Sequence, residues 1–280
     1  MIMFRKKKEQ LNLKKTANYL YSEGDFQEAK NYYIRALKEE PNDTGMMIRL
    51  ASIYFSEEKW FPCESLLTKA DELQPNDDVT LQNLGALYIQ WEKWEKAKDY
   101  LQQALLLNPN NAHAWNNLGL VQKEKKDLDE AERSFTKAIE NDPHDFEYVF
   151  NLGELFEAQQ NYWEAKDLFT KLLEQDTINQ ELLTEKLKNL SETIKKTQIE
   201  RLKKTLQVST KLRLDRLQEG LNMSGSEFNR KIVDWAFEFG FTIDGEYLIV
   251  NKSTVSDFLV TLDENFNEWT ENSKIKAGKL

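Results

Sequence analysis

Cysteine is almost absent. Cys63 is alone in 280 residues, so no internal disulfide can form and a reducing compartment, the cytoplasm, is expected. Histidine is as scarce, with only His113 and His144. No metal or other cofactor is therefore expected. No stretch approaches the roughly 18 continuous apolar residues of a membrane span. The opening MIMFRKKKEQ has no apolar run behind its basic one, so no secretory leader is expected either. An excess of positive charge is also missing. Lys and Arg number 38 against 48 Asp and Glu, a net charge of −10, whereas nucleic-acid phosphates want a basic face. There is no Gly-rich phosphate loop, no paired-histidine motif and no cysteine–histidine arrangement, so the chain is not expected to be an enzyme.

Proline is rare too, but four of the five are evenly placed. Pro41, Pro75, Pro109 and Pro143 stand 34 residues apart. A fixed period of this length marks stacked helical hairpins. Other columns keep the same frame. Small residues recur at Ala17, Ala51, Gly85, Gly119, Gly153, at Ala29, Cys63, Ala97, Ala131, Ala165, and at Ala36, Ala70, Ala104, Ala138 before Leu172. Antiparallel helices approach closely only where side chains are small. Cys63 stands in such a column and is expected to be a small core residue. Large residues fill the intervals: Leu13, Met47, Leu81, Trp115 and Val149; Thr16, Leu50, Leu84, Leu118 and Leu152; Tyr33, Leu67, Leu101, Phe135 and Phe169. Proline lacks an N–H and ends each hairpin. The Asn and Asp residues that follow it (Asn42, Asp43, Asn76, Asp77, Asn110, Asp145) are cap candidates for the next helix.

These columns, most clearly LQNLGALYIQWEKWEKAKDYLQQALLLNPN and WNNLGLVQKEKKDLDEAERSFTKAIENDP, resemble the tetratricopeptide repeat family. The resemblance covers about residues 10–177, five units. Thr16 and Thr177 depart from the usual leucine and proline, in the terminal units, where repeats are commonly atypical. It implies a mainly α-helical solenoid whose first helices line a concave, partner-binding side. The candidate groove residues are Lys14, Lys15, Asn18, Arg49, Ser52, Asn83, Asn117 and Asn151. Lys15, Arg49, Asn83, Asn117 and Asn151 share one column. Asparagine offers both donor and acceptor to a peptide backbone, and the cations suit acidic groups; a structural role between helices is the other reading of the same column. The partner expected is a protein or peptide. Phe26, Trp60, Trp94 and Tyr162 are expected to cover hairpin ends and Trp115 to lie in the core. Phe61, Trp91 and Trp163 fit the core columns less well and are candidates for an exposed aromatic patch.

The period stops after Thr177. Residues 178–207 predict one long helix with an apolar stripe (Leu182, Leu183, Leu187, Leu190, Ile194, Ile199, Leu202, Leu206), expected to cap the array and connect it onward. Beyond it, STKLRL predicts a strand and DRLQEGLNM a short helix. SGSEFNRKIVDWAFEFG predicts a helix with Ser224 and Ser226 as cap candidates. FTIDGEYLIV predicts a hairpin about Asp244 and Gly245, and STVSDFLVTLDENFNEW a closing helix. This order resembles the winged-helix half of the PCI domain, a small α+β unit at 208–270 that implies assembly with other proteins. Residues 1–9 and 271–280 are expected to be polar tails. A nucleic-acid-associated regulator is the alternative, but Arg230 and Lys231 are offset by Glu227, Asp234 and Glu238, and the wing carries Asp244 and Glu246.

Overall fold

The capping residues show why the helices begin where they do. In the computed structural model, which describes residues 13–174, 179–221 and 225–261, Asp43, Asp77, Asn111 and Asp145 each accept a hydrogen bond from a backbone N–H of the helix that follows. The four distances are 2.9, 2.8, 2.9 and 2.8 Å. Each satisfies one of the orphan donors of a first turn. Asn42, Asn76 and Asn110 precede these caps by one residue and do not cap; Asn111 does so instead of Asn110. The helices form five hairpins: α1 (13–22) with α2 (Phe26–Glu39), α3 (Thr44–Ser56) with α4 (Trp60–Leu73), α5 (Asp78–Gln90) with α6 (Trp94–Leu107), α7 (Ala112–Glu124) with α8 (Leu128–Asn141), and α9 (Phe146–Ala158) with α10 (Tyr162–Glu174).

Inside each hairpin one residue takes a left-handed backbone. These are Gly24, Glu58, Glu92, Lys126 and Gln160, again 34 apart, with φ between 53° and 80°. The next N–H then reaches back to the carbonyl five residues earlier, as in Asp25 to Leu20 (2.9 Å) and Lys93 to Tyr88 (2.9 Å). This closes the first helix with a Schellman-type bond.

The small-residue columns are buried throughout, and Tyr33, Leu67, Leu101, Phe135 and Phe169 lie across from the first of them. A Cβ placed on Gly85, Gly119 or Gly153 would lie 2.5–2.7 Å from the side chain of Leu101, Phe135 or Phe169. Glycine there is a requirement of close approach. Trp115 departs from expectation. It is half-buried, and its indole N–H donates to the Pro109 carbonyl (2.8 Å), while Ala114 and Asn116 take the inner positions of that turn. An indole N–H needs an acceptor, and the loop carbonyl at the rim supplies one. Phe26, Trp60, Trp94 and Tyr162 each open a second helix; Phe26 and Trp60 meet Tyr21 and Phe55 edge-on at 5.3 Å. Phe61 and Trp163 are exposed, and Trp91 is half-buried with its ring 5.6 Å from Phe61. First helices of successive units touch, α5 with α7 and α7 with α9, which puts them on the inner side of the stack.

The chain divides into two compact units, Met1–Leu172 and Leu173–Leu280. The second contains α11 (Gln180–Val208), β1 (Lys211–Arg213), α12 (Leu214–Leu221), α13 (Gly225–Phe239), β2 (Thr242–Asp244), β3 (Tyr247–Ile249) and α14 (255–261). On α11, Leu183, Leu190, Ile194 and Leu206 are buried, Leu187 is half-buried and Leu182 is exposed; the side chains of Ile199 and Leu202 lie outside the described ones. The strands form an antiparallel sheet of order β1-β3-β2, with Leu212 and Ile243 both paired to Leu248. Leu206, Leu212, Leu217, Phe228, Ile232, Trp235, Phe239, Phe241, Leu248, Val250 and Phe258 share one core. The hairpin turn is Gly245–Glu246, one residue later than expected, because Asp244 pairs with Tyr247. Gly245 supplies its positive φ of 58°. Ser226 lies inside α13 and is not its cap; Ser224, Leu262 and both tails fall outside the described residues.

Candidate partner-binding groove

The eight groove candidates all lie on first helices: Lys14, Lys15 and Asn18 on α1, Arg49 and Ser52 on α3, Asn83 on α5, Asn117 on α7 and Asn151 on α9. Their surroundings divide them into two groups. Lys14 pairs with the capping carboxylate of Asp43. Burial would push that carboxyl up, but Lys14 and the Met46 N–H outweigh it and hold Asp43 below the usual carboxylate range. Asn18 accepts from the Tyr33 hydroxyl (2.8 Å). Ser52 donates to the Arg49 carbonyl (2.8 Å) and lies 2.9 Å from the Tyr21 hydroxyl. Asn151 is 9% exposed and donates to Asn116 (2.9 Å), which is 2% exposed and donates in turn to Glu147 (3.0 Å). Lys14, Ser52 and Asn151 thereby tie one unit to the next, while Asn18 closes its own hairpin.

The second group is Lys15, Arg49, Asn83 and Asn117. Among the described residues none of the four side chains makes a hydrogen bond or ion pair, although the Arg49 guanidinium sits 5.4 Å from the centre of the Tyr21 ring. They occupy one 34-residue column on four successive first helices. The free column is therefore cationic over units one and two and amide over units three and four. Beside it, Ala51, Ser52, Phe55, Cys63, Leu67, Asn83 and Ala86 line a cavity of about 80 Å³. Tyr21 and this cavity were not foreseen from the sequence. The signal for the cavity was present in one column, Asn18, Ser52, Ala86, Leu120 and Glu154, whose side-chain size changes from unit to unit.

Residues 10–209 match the sequence family of the cilia and flagella-associated protein 70 C-terminal domain. The chain belongs to that family. The matched region includes all five hairpins and α11. No curated protein sequence matches the chain. Solved structures similar to this member of the family include a thermophilic TPR protein of Thermus thermophilus, with a TM-score of 0.58 and 23% identity over 65% of this chain and 98% of that one. PilF of Pseudomonas aeruginosa gives 0.55 and 17% identity, covering 69% and 93% of the two chains. The Cut9–Hcn1 hetero-tetramer of the APC/C gives 0.56 and 21%, covering 66% of this chain and 36% of that one. The tetratricopeptide solenoid expected from the register is the fold of this family member. Among the described residues no helix is long and apolar enough to cross a membrane, and no group of three His, Cys, Asp or Glu residues is placed to hold a metal.

Proposed function

We propose that this protein is a non-enzymatic scaffold that holds a protein or peptide partner along the first-helix face of its repeats. The observation that carries this is the column Lys15, Arg49, Asn83 and Asn117: four polar side chains in register whose donors make no hydrogen bond or ion pair among the described residues. Donors that a fold leaves unused, aligned on one face, are available to an extended backbone and its carboxylates. The C-terminal unit is assigned as a winged helix of the PCI type that joins the protein to a larger assembly. The order α11-β1-α12-α13-β2-β3 and the strand order β1-β3-β2 support this. A nucleic-acid role for that unit is less well supported. Arg213 is paired with Asp215 (2.7 Å) and lies 4.0 Å from Glu246, and Lys211 lies 3.9 Å from Asp244, so the cations of the sheet are already neutralised. The family takes its name from a protein of cilia and flagella, and a large multi-protein structure is the kind of assembly we assign. A cytoplasmic location fits the single, buried Cys63.

Site-specific photo-crosslinking in the native host tests the groove. A photoreactive amino acid at Lys15, Asn83 or Asn117 is expected to capture the same partner, while one at Glu132 or Lys137 on a second helix, α8, is not. Equal capture from both sets would remove the groove as the binding face.

A further inference from the structure

We infer that the cavity between α3, α4 and α5 is a side-chain pocket for one small branched aliphatic residue, valine or leucine in size, of an extended acidic peptide. The inference rests on the groove assignment and gives it a specificity. The walls are apolar: Phe55 and Ala51 from α3, Cys63 and Leu67 from α4, Ala86 from α5. Cys63 belongs with them, since burial pushes its thiol up to about 12 and keeps it neutral. At about 80 Å³ the space is roughly half that of an apolar cavity of about 150 Å³ that holds benzene. It therefore admits three or four carbon atoms and excludes a large ring.

The repeat explains why the space exists here. One unit on, Leu120 stands in the column of Ala86 and is packed against the cluster of Ala131, Phe135, Leu152 and Leu155, whereas the smaller Ala86 leaves room beside α5. The same comparison shows that the array accommodates leucine at this position.

Charge sets the character of the peptide. Asn83 lines the cavity with an amide that has no partner among the described residues. Arg49 lies one helical turn from Ser52 on the cavity wall and accepts that residue's hydroxyl on its own carbonyl. Lys15 continues the free cations one unit further. Helix neighbours three or four apart are about 5–6 Å from each other, and an extended chain advances about 3.3–3.6 Å per residue. A carboxylate one or two residues from the seated side chain thus reaches Arg49 while Asn83 meets the backbone between them.

The probe is a set of capped pentapeptides, acetyl-Gly-Asp-X-Asp-Gly-amide, with X as Gly, Val, Leu or Trp. Their binding is measured by titration calorimetry on the full chain and on its Ala86→Leu and Arg49→Ala variants. Wild type is expected to bind the Val or Leu peptide at least about tenfold more tightly than the Gly and Trp peptides, the discrimination one apolar side chain ordinarily gives. Ala86→Leu should erase that preference with its melting temperature unchanged, and Arg49→Ala should weaken the whole set while keeping the ranking. Binding without preference, or a preference that survives Ala86→Leu, overturns the pocket and leaves the groove standing. Absence of binding by all four peptides at millimolar concentration overturns the acidic-peptide inference, and the crosslinking result then decides the groove separately.

Discussion

Replacing Gly119 by alanine is the sharpest test of how the hairpins are held. On an exposed helix the change should stabilise, because glycine is about 0.8–1.0 kcal/mol worse than alanine. Here the added Cβ would sit 2.7 Å from both Cδ1 and Cε1 of Phe135 and 3.0 Å from Cζ. Carbon pairs settle at about 3.5–4.0 Å, so the ring must retreat by roughly 1 Å. Phe135 is fully buried, in a cluster with Ala131, Leu152 and Leu155, and has nowhere to go without moving them. Overpacking of this kind costs about 1–3 kcal/mol. After the propensity gain is subtracted, Gly119→Ala should lose up to about 2 kcal/mol, read by urea denaturation of the full chain. Gly45→Ala is the control, since its Cβ meets only Asp43 Oδ1 at 3.4 Å, and it should be neutral or slightly stabilising. Units one and two already combine alanine with Tyr33 and Leu67 in this column. Phe135→Leu should therefore recover part of the loss, with a coupling energy of about 1 kcal/mol in a double-mutant cycle. If Gly119→Ala were as stable as wild type with no coupling to Phe135, the close-approach argument would be refuted.

Four further outcomes are expected. Glu92→Gly should stabilise by about 0.5–1 kcal/mol, because a left-handed L-residue costs about 1–2 kcal/mol and glycine returns about 0.5–1 kcal/mol of that as unfolded-chain entropy; no rise in the denaturation midpoint would contradict it. Asn151→Ala, which leaves the buried Asn116 carbonyl oxygen unpaired, should cost about 1–3 kcal/mol, whereas Asn117→Ala should stay within about 0.5 kcal/mol in the same assay; equal losses would mean that both amides are structural. Asp43 has a depressed folded pKa, so its contribution is present above the ordinary carboxylate range near about 4 and disappears as pH falls through the lower folded value; Asp43→Asn should flatten that part of an acid-unfolding curve, and an unchanged curve would exclude the Lys14–Asp43 pair as its source. The apolar stripe at 178–207 leads to the expectation of a capping helix; if that holds, a chain ending at Thr177 should aggregate or melt early while one ending at Val208 stays soluble, and identical melting temperatures would exclude it.

The register was legible because it is enforced locally. Proline, small residues at crossings and cap side chains act on the backbone beside them, and a 34-residue column collects them. What the columns do not carry is which neighbour a side chain finds. Asn83, Asn117 and Asn151 share an address, yet only Asn151 is taken up, because Asn116 stands next to Asn117 with a carbonyl free to accept. Trp115 shares a column with Met47 and Leu81, both buried, but its indole nitrogen needs an acceptor and finds it at the rim. The left-handed column was hidden for the opposite reason. Only Gly24 announces it, while Glu58, Glu92, Lys126 and Gln160 are residue types that ordinarily avoid such backbone. In the C-terminal unit the alternation of apolar residues placed the strands, and the turn moved by one residue because Gly245, not Asp244, must hold the positive φ.

Every side-chain bond between units described above joins residues about one period apart, from Tyr21 and Ser52 to Asn116 and Asn151. A stack linked only to its neighbours behaves as a chain of nearly independent springs. Under tension along its axis such an array yields one hairpin at a time, each releasing on the order of 110–120 Å of extended chain at about 3.3–3.6 Å per residue. The array can thus lengthen in steps under load while the hairpins that have not yielded keep their inner face intact.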